Sequence, residues 1–476
     1  MDSFESYQSV FSWRYGSQNM RRIFSEAYKR RCWRLIWLSL ARTKRDLGLL
    51  TDEDFRKIEA QANQVNVMKS LEIERVSQHD LDAELQYFAS QCGKAGVTLH
   101  VGAAAADIKD NADALILKEA FNLVKVRLAH LLRALFHLIR DTHERRVVGM
   151  GYTHLQPAMP IPFSYRLANY GQDLLKVLRL WETLQIEGKG IKGAVGTSSG
   201  FAEILSNKGI SPQELERRIM EELGLPYPLI SGQTASRLTD VMLLGALQQL
   251  AVTLHRMFAD QRILQSLGET QEPFVPGQKG SSVMAHKKNP KDSEQICSLA
   301  AAILGYYTMA SYAAANNLLE RTLNDSAIRR IYLPETFLAT DQMLIKGHKV
   351  ISGLKVNEVR IVNNLRTYGD FASTEKLLLY LQREGLDREV AYRLIQKCTL
   401  ESAEAVIAGW PSPLKDHLII ELRQVGLEIT REELDYILDP TEFVGDAFQR
   451  VEQFLQEAEP ALAAYAHVQL KEEPVF

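Results

Sequence analysis

Between Gly280 and Pro290 the chain reads Gly-Ser-Ser-Val-Met-Ala-His-Lys-Lys-Asn-Pro: two small hydroxyl residues beside a glycine, then two lysines and an asparagine. Amides, hydroxyls and ammonium groups at such close spacing can bind a carboxylate and stabilise charge that develops on it. A solvated basic loop has the same composition. This one, however, lies between two long helical patterns and opens the second with Asn289-Pro290, a favourable helix start. Gly151-Tyr-Thr-His-Leu-Gln-Pro-Ala158 puts His154 in a polar, Pro-ended loop. An imidazole that titrates near neutrality can move protons there, and a purely structural histidine is the alternative. His79 is followed by Asp80, a carboxylate able to orient the ring. In Glu320–Arg330, Ser326 and Arg330 are one helical turn apart on one face, an arrangement suited to a phosphate. A surface helix laced with salt bridges would read the same way. Gly188-Lys-Gly-Ile-Lys-Gly193 has the GxGxxG spacing of dinucleotide-binding turns, but it follows a helical pattern instead of a strand. It is therefore read as a flexible turn.

Such groups need rigid elements to hold them. From Ala112 to Val147 the chain carries neither Gly nor Pro, and residues from Leu115 to Leu132 supply a broad apolar face. Ala235–Leu267 is interrupted only by Gly245, and Lys291–Ile331 only by Gly305. Helices of roughly 30 residues far exceed the usual globular mean of about 11–12 and are typical of bundles. A broad face, as opposed to a heptad seam, favours a bundle shared by several helices. Strand-like alternation is nearly absent, so the expected fold class is all-α. Gly and Pro gather between the long runs, at Gly149–Pro162, Gly188–Gly200, Pro226–Gly232 and Glu272–Pro290, where most of the candidate chemistry lies. Texture divides the chain into an N-terminal helical part (1–104), a central long-helix bundle (105–357) and a C-terminal helical part (358–476). Helices this long expose more apolar surface than one chain covers, so a homo-oligomer is expected.

The bulk properties exclude other classes. With 476 residues, 46% hydrophobic and 24% charged, the chain is an ordinary globular protein of two or three domains. A net charge of -3 offers no general attraction to nucleic acid or acidic membranes. Cys32, Cys92, Cys297 and Cys398 are scattered without disulfide or zinc spacing and are read as reduced core thiols of a cytoplasmic protein. No run approaches 18 uninterrupted apolar residues, so no membrane span is expected.

Taken together, the segments resemble the fumarase/aspartase superfamily, most closely the adenylosuccinate lyases of animal type. The loop at 280–290 is similar to the superfamily pattern GSSxMPxKxN. Further matches follow in order nearly end to end: Ser12-Trp-Arg-Tyr15, His79-Asp80, Leu99-His-Val-Gly102, Thr153-His-Leu-Gln-Pro157, Ser231-Gly-Gln-Thr234 and Glu320–Arg330. The resemblance implies a three-domain, all-α homotetramer whose active sites draw on three subunits. It also implies β-elimination of fumarate from an N-succinyl nucleotide, namely adenylosuccinate to AMP and SAICAR to AICAR, in purine biosynthesis. Ser281 takes the position of the base and His154 that of the acid. Lys287 and Asn289 match groups that hold the carboxylate, and Arg14, Tyr15, His79, Asp80, Arg321, Ser326 and Arg330 match positions around the nucleotide phosphate. His100, Thr153 and Gln233 match further substrate contacts. No metal or organic cofactor is implied.

The departures fall in the same places. Ala104 and Ala105 stand where the family has a Thr-Ser pair, Gln78 and Gln295 where it has Arg, Ser198 where it has Gln, and Ala285 where the loop has Pro. Either neighbouring changes compensate and adenylosuccinate remains the substrate, or the scaffold serves another N-succinyl compound. A non-catalytic structural paralogue is the remaining alternative, and the retained Ser281, Lys287, Asn289 and His154 speak against it.

Overall fold

The computed structural model describes residues 5–468; the outermost parts of the first and last divisions, 1–4 and 469–476, lie outside it. Seven helices frame the molecule: α1 (Glu26–Asp46), α2 (Ala105–Glu144), α3 (Phe163–Thr183), α4 (Leu238–Ser266), α5 (Lys291–Ala315), α6 (Ser326–Ser352) and α7 (Ala447–Ala463). The fold is all-α apart from two small antiparallel ribbons. One pairs β1 (Val148–Thr153) with β2 (Gln156–Pro162), and the other pairs β3 (Thr270–Gln271) with β4 (Lys355–Val356).

The longest helix, α2, has 40 residues and so spans about 60 Å. Its run is free of Gly and Pro, and Leu117, Phe121, Val124, Leu128, Leu131, Leu132 and Leu135 are buried along it. Each such side chain contributes about 1.5–3 kcal/mol on burial. Helix α5 packs between α4 and α6, while α2 packs on α1, α3 and α6. One continuous core runs from Phe11 through these helices to Leu462, so packing crosses the textural divisions at both ends. Val451, Leu455, Ala458 and Leu462 of α7 return the chain's last helix to this core. A second, smaller core forms separately within residues 377–438, around Leu381, Leu394, Cys398, Leu418, Leu422 and Leu434.

Two expectations need correction. The run Lys291–Ile331 is two helices, because α5 ends at Asn316 and Leu319 adopts a left-handed backbone before α6 begins at Ser326. Thr322 then donates its hydroxyl to the Asn316 carbonyl, closing the break. The segment Gly149–Pro162 is a hairpin in place of an open loop. Pro157, Pro160 and Pro162 disguise the outer strand, which tolerates them because a two-stranded ribbon has free edges. Helices α4 and α5 have the length and hydropathy of a membrane span, a test that the core helices of a bundle also pass, and 50% and 39% of their apolar windows are buried within this chain. They pack on each other in the central bundle.

Candidate active site

Helix α6 opens onto a cavity of about 220 Å³ that gathers Asp80, Arg321, Ser326 and Arg330, residues up to 250 positions apart in sequence. Ser326 and Arg330 both line it, as their one-turn spacing implies. This 27-residue helix starts without a side-chain N-cap bond, and the positive end of a helix dipole favours an anion. Asp80 does not orient His79; it accepts from Lys109 Nζ at 2.7 Å and Arg330 Nη2 at 3.0 Å. Burial works against the ionised form of Asp80, but Lys109 and, more weakly, the Leu81 amide and Arg330 hold its carboxyl well below the usual range. His79 instead caps its own helix, Asp80–Cys92, by accepting the Asp82 amide at Nδ1.

Sequence reasoning missed part of the lining. Lys29, Trp33 and Lys109 face the same cavity, with the two ammonium groups 5.4 and 5.9 Å from the Trp33 ring. The one-turn spacing of Lys29 and Trp33 on α1 was the available signal. Beneath them, Arg329 pairs with Asp113 and Asp240 at 2.8 and 2.7 Å, and Arg237 pairs with Asp325 at 2.6 Å. This buried charge lattice fixes α2, α4 and α6 against one another. The mouth carries Lys29, Lys109, Arg321 and Arg330 beside the Trp33 ring, with Lys29 paired to Glu26, and Lys109 and Arg330 paired to Asp80, so an anion binding there would share these cations with the lining carboxylates.

Near the cavity, Arg321 donates to Gln233 Oε1 at 3.1 Å, and the Gln233 amide donates to the Glu320 carbonyl. His100 accepts the Trp37 indole N–H at Nδ1 over 3.1 Å, which leaves its proton on Nε2. Burial, aided by Lys44, holds the His100 pKa below 6.5. A depressed histidine contributes stability that is fully present above its unfolded pKa of about 6.5 and is lost progressively as pH falls from there through the lower folded pKa. An NMR titration is expected to find His100 neutral, protonated on Nε2, and still uncharged where an exposed histidine is half-titrated.

The remaining implied residues do not line this cavity. Arg14 and Tyr15 follow the short helix Val10–Trp13, with the Arg14 guanidinium beside the Trp13 ring at 5.6 Å. The next residue, Gly16, donates its amide to Gln342 on α6, and Gln342 in turn donates to Gln295. Gln295 is thus joined to the Arg14-Tyr15 turn by a hydrogen-bond relay. Thr153 and His154 sit at the exposed tip of the β1–β2 hairpin. His154 and Leu155 form its two-residue turn with φ of 53 and 61°. Turns of this type normally carry Asn-Gly, and a left-handed conformation costs other residues about 1–2 kcal/mol each. Strain of this kind collects at functional sites.

In the 280–290 loop, Ser281 Oγ accepts the amides of Met284 and Val283 at 3.0 and 3.3 Å. Two donors aimed at one hydroxyl oxygen favour its alkoxide, which is what a serine needs to act as a base. The loop is closed at its neck: Asn289 donates to the Gly280 carbonyl at 2.8 Å, so its amide is engaged within the loop itself. A Cβ at Gly280 would lie 1.9 Å from the Lys287 carbonyl oxygen, so only glycine fits. Lys287 is exposed.

The substituted positions also have local settings. Ala104 is the N-cap of α2 and lacks a capping side chain, although its amide donates to Asp107 at 2.7 Å. Gln78 and Ser198 adopt left-handed backbones, at φ 55° each, at helix ends. Gly188–Gly193 is no flexible turn. It is buried, with Ile191 N and Lys192 Nζ on Glu216 and Lys189 ion-paired to Asp107. A Cβ at Gly190 would lie 2.1 Å from Glu216 Oε1, which explains the glycine without any nucleotide.

A serine oxygen that accepts two amides, an exposed imidazole and a cavity lined by paired charges lie on this helical bundle, and the comparisons with known proteins give its class. A family model described as "Lyase" matches residues 15–305, and one described as "Adenylosuccinate lyase C-terminus" matches residues 370–454. An adenylosuccinate lyase of Schistosoma mansoni is 33% identical over 98% of each chain, and one of Saccharomyces cerevisiae is 32% identical over 96% of this chain and 95% of its own. The solved 3-carboxy-cis,cis-muconate lactonizing enzyme of Pseudomonas putida shares the fold with TM-score 0.82 and 23% identity, covering 96% of this chain and 100% of that one. The chain belongs to this lyase family, on the adenylosuccinate lyase branch of the fumarase/aspartase superfamily, and is a carbon–nitrogen lyase.

Proposed function

We propose that this carbon–nitrogen lyase, which releases fumarate, acts on adenylosuccinate and on the succinylated aminoimidazole carboxamide ribotide of purine synthesis. The seating of Ser281 carries the proposal: Met284 and Val283 amides converge on its oxygen. The Ser281 alkoxide takes a proton from the carbon beside a substrate carboxylate, whose negative charge grows as the carbon–hydrogen bond breaks. That electron pair forms the double bond of fumarate as the carbon–nitrogen bond opens. His154 gives its proton to the departing nitrogen. Lys287 neutralises the carboxylate, and the basic mouth formed by Arg321, Ser326 and Arg330 takes the phosphate.

Ser281 and His154 stand apart from the cavity within one chain. Together with the exposed apolar side chains Leu238, Met242, Val252 and Leu304 on α4 and α5, this supports a homo-oligomer, proposed as a tetramer, that completes each site from several copies, while the four free, buried cysteines support a cytoplasmic setting. An ultraviolet assay with both substrates tests the function. Fumarate release from both is expected. A folded oligomer that turns over neither would move the search to other N-succinyl compounds.

The alanines at 104 and 105 give a separate expectation. Ala104→Thr with Ala105→Ser places a hydroxyl at the α2 N-cap, where it can accept the Asp107 amide and stabilise the protein by about 1 kcal/mol. If the hydroxyls also meet substrate, kcat/KM for adenylosuccinate rises. A higher melting temperature with unchanged kinetics would show the pair to be a matter of capping alone.

A further inference from the structure

The residues assigned to proton transfer lie on the β1–β2 hairpin and the 280–290 loop, and both lead back to the two-residue strand β3. Glu269, immediately before β3, is fully buried. Its Oε1 accepts Tyr152 OH at 3.3 Å and Asn364 Nδ2 at 3.0 Å, and its Oε2 lies 3.7 Å from Arg166 Nη1. Tyr152 belongs to β1, two residues before His154, and Arg166 also donates to the β1 carbonyl of Met150 at 2.5 Å. Glu269 therefore holds the inner strand of the His154 hairpin from below.

Glu272, immediately after β3, is 5% exposed and faces the opposite direction in function. Its two carboxylate oxygens accept the amides of Asp292 and Ser293 at 3.2 and 2.9 Å, and Oε1 also accepts the Ser293 hydroxyl. These amides open α5, where the 280–290 loop ends. Gln265 closes the other side: it accepts the Glu272 amide at 3.0 Å and donates to the Lys288 carbonyl at 2.9 Å. Asp292 is held in turn by Lys346 and Lys349 of α6 at 2.9 and 2.8 Å.

We infer that β3 is a shared seat for the two segments, with Glu269 the positioning residue for His154 and Glu272 the positioning residue for Ser281; the inference rests on the proton-transfer roles proposed above. Two buried acids within four residues are costly unless hydrogen-bonded, and here Glu269 accepts from Tyr152 in the hairpin and from Asn364, while Glu272 accepts from Asp292 and Ser293 at the exit of the loop. Misplacing a catalytic group by about 1 Å costs on the order of 100-fold in rate.

The test uses Glu272→Gln and Glu269→Gln in the full chain, with steady-state kinetics and millisecond hydrogen exchange. In Glu272→Gln the amide nitrogen of the new side chain faces the α5 amides. Exchange at 281–293 is expected to rise about tenfold or more while the hairpin at 148–162 is unchanged. The kcat should fall between about 10- and 100-fold with KM within about threefold. Glu269→Gln should reverse the pattern, loosening 148–162 and leaving 281–293 as it was. Ser293→Ala, a milder cut at the same contact, should shift 281–293 in the same direction by less, and it stands in if Glu272→Gln does not fold. Wild-type exchange at both segments, or equal loosening throughout the chain, overturns the inference. If the unaltered protein releases no fumarate from either substrate, the proposed function fails, yet the exchange pattern still decides whether β3 seats the two segments.

Discussion

Ser281→Ala is expected to lower turnover by about 10²- to 10⁴-fold, the usual contribution of a general base, while folding and oligomer size stay as they are. The substitution leaves the Val283 and Met284 amides without their acceptor, but the loop there is exposed and water replaces it. A stability change beyond about 0.5 kcal/mol is not expected at such a surface position. Ser282→Ala is the matched control, because the second serine is exposed and the amides converge on the first. Steady-state rates of both variants, with size-exclusion profiles alongside, separate the two. Substantial residual turnover in Ser281→Ala would remove that residue from the base role. Equal loss in both variants would point to the loop's shape in place of either hydroxyl.

The largest expected loss of stability follows from Asp107→Ala. Asp107 is fully buried and accepts Lys189 Nζ together with the amides of Ala104, Lys192 and Gly193. Its removal leaves the buried Lys189 ammonium without a counter-charge, which costs about 3–5 kcal/mol. Adding Lys189→Met removes the stranded charge and should recover part of the loss, and urea midpoints of the single and double variants measure the coupling. Additive losses would mean that the amides, and not the ammonium, dominate. The same carboxylate joins the start of α2 to the 188–193 turn, so the loss should also loosen Ser198 and Ser199 just beyond it.

Much of the scaffold was legible because its signals are local. The length of α2 follows from a stretch without Gly or Pro, and burial of Leu117, Leu128 and Leu131 follows from helical spacing. The break after Asn316 was hidden because neither Gly nor Pro marks it; the chain turns on Asn316 and on Leu319, whose left-handed backbone no composition rule anticipates. The hairpin under His154 was hidden for the opposite reason. Three prolines look like loop punctuation, and the strand persists because the helix Glu358–Ala372 packs on both of its strands. In the site, motif segments supplied candidate residues but not their grouping. Lys109 and Trp33 reach the cavity only through the packing of α1 on α2, which no spacing within either helix encodes. Glu269 and Glu272 read as ordinary polar residues until burial and bonding reveal them.

The separate core at 377–438 bears on how any of these stability changes can be measured. Cys398 is buried in it, whereas Cys32, Cys92 and Cys297 are buried in the large core. Two cores that share few side chains can lose cooperativity with one another, and a single melting temperature would then average two events. The thiols offer a clock for each: a cysteine-reactive dye added during a denaturant ramp would label Cys398 when the small core opens and the other three when the large one does. Coincident labelling would justify one free energy for the whole chain. Early labelling of Cys398 would mean that an Asp107 variant must be judged by Cys32, Cys92 and Cys297 alone.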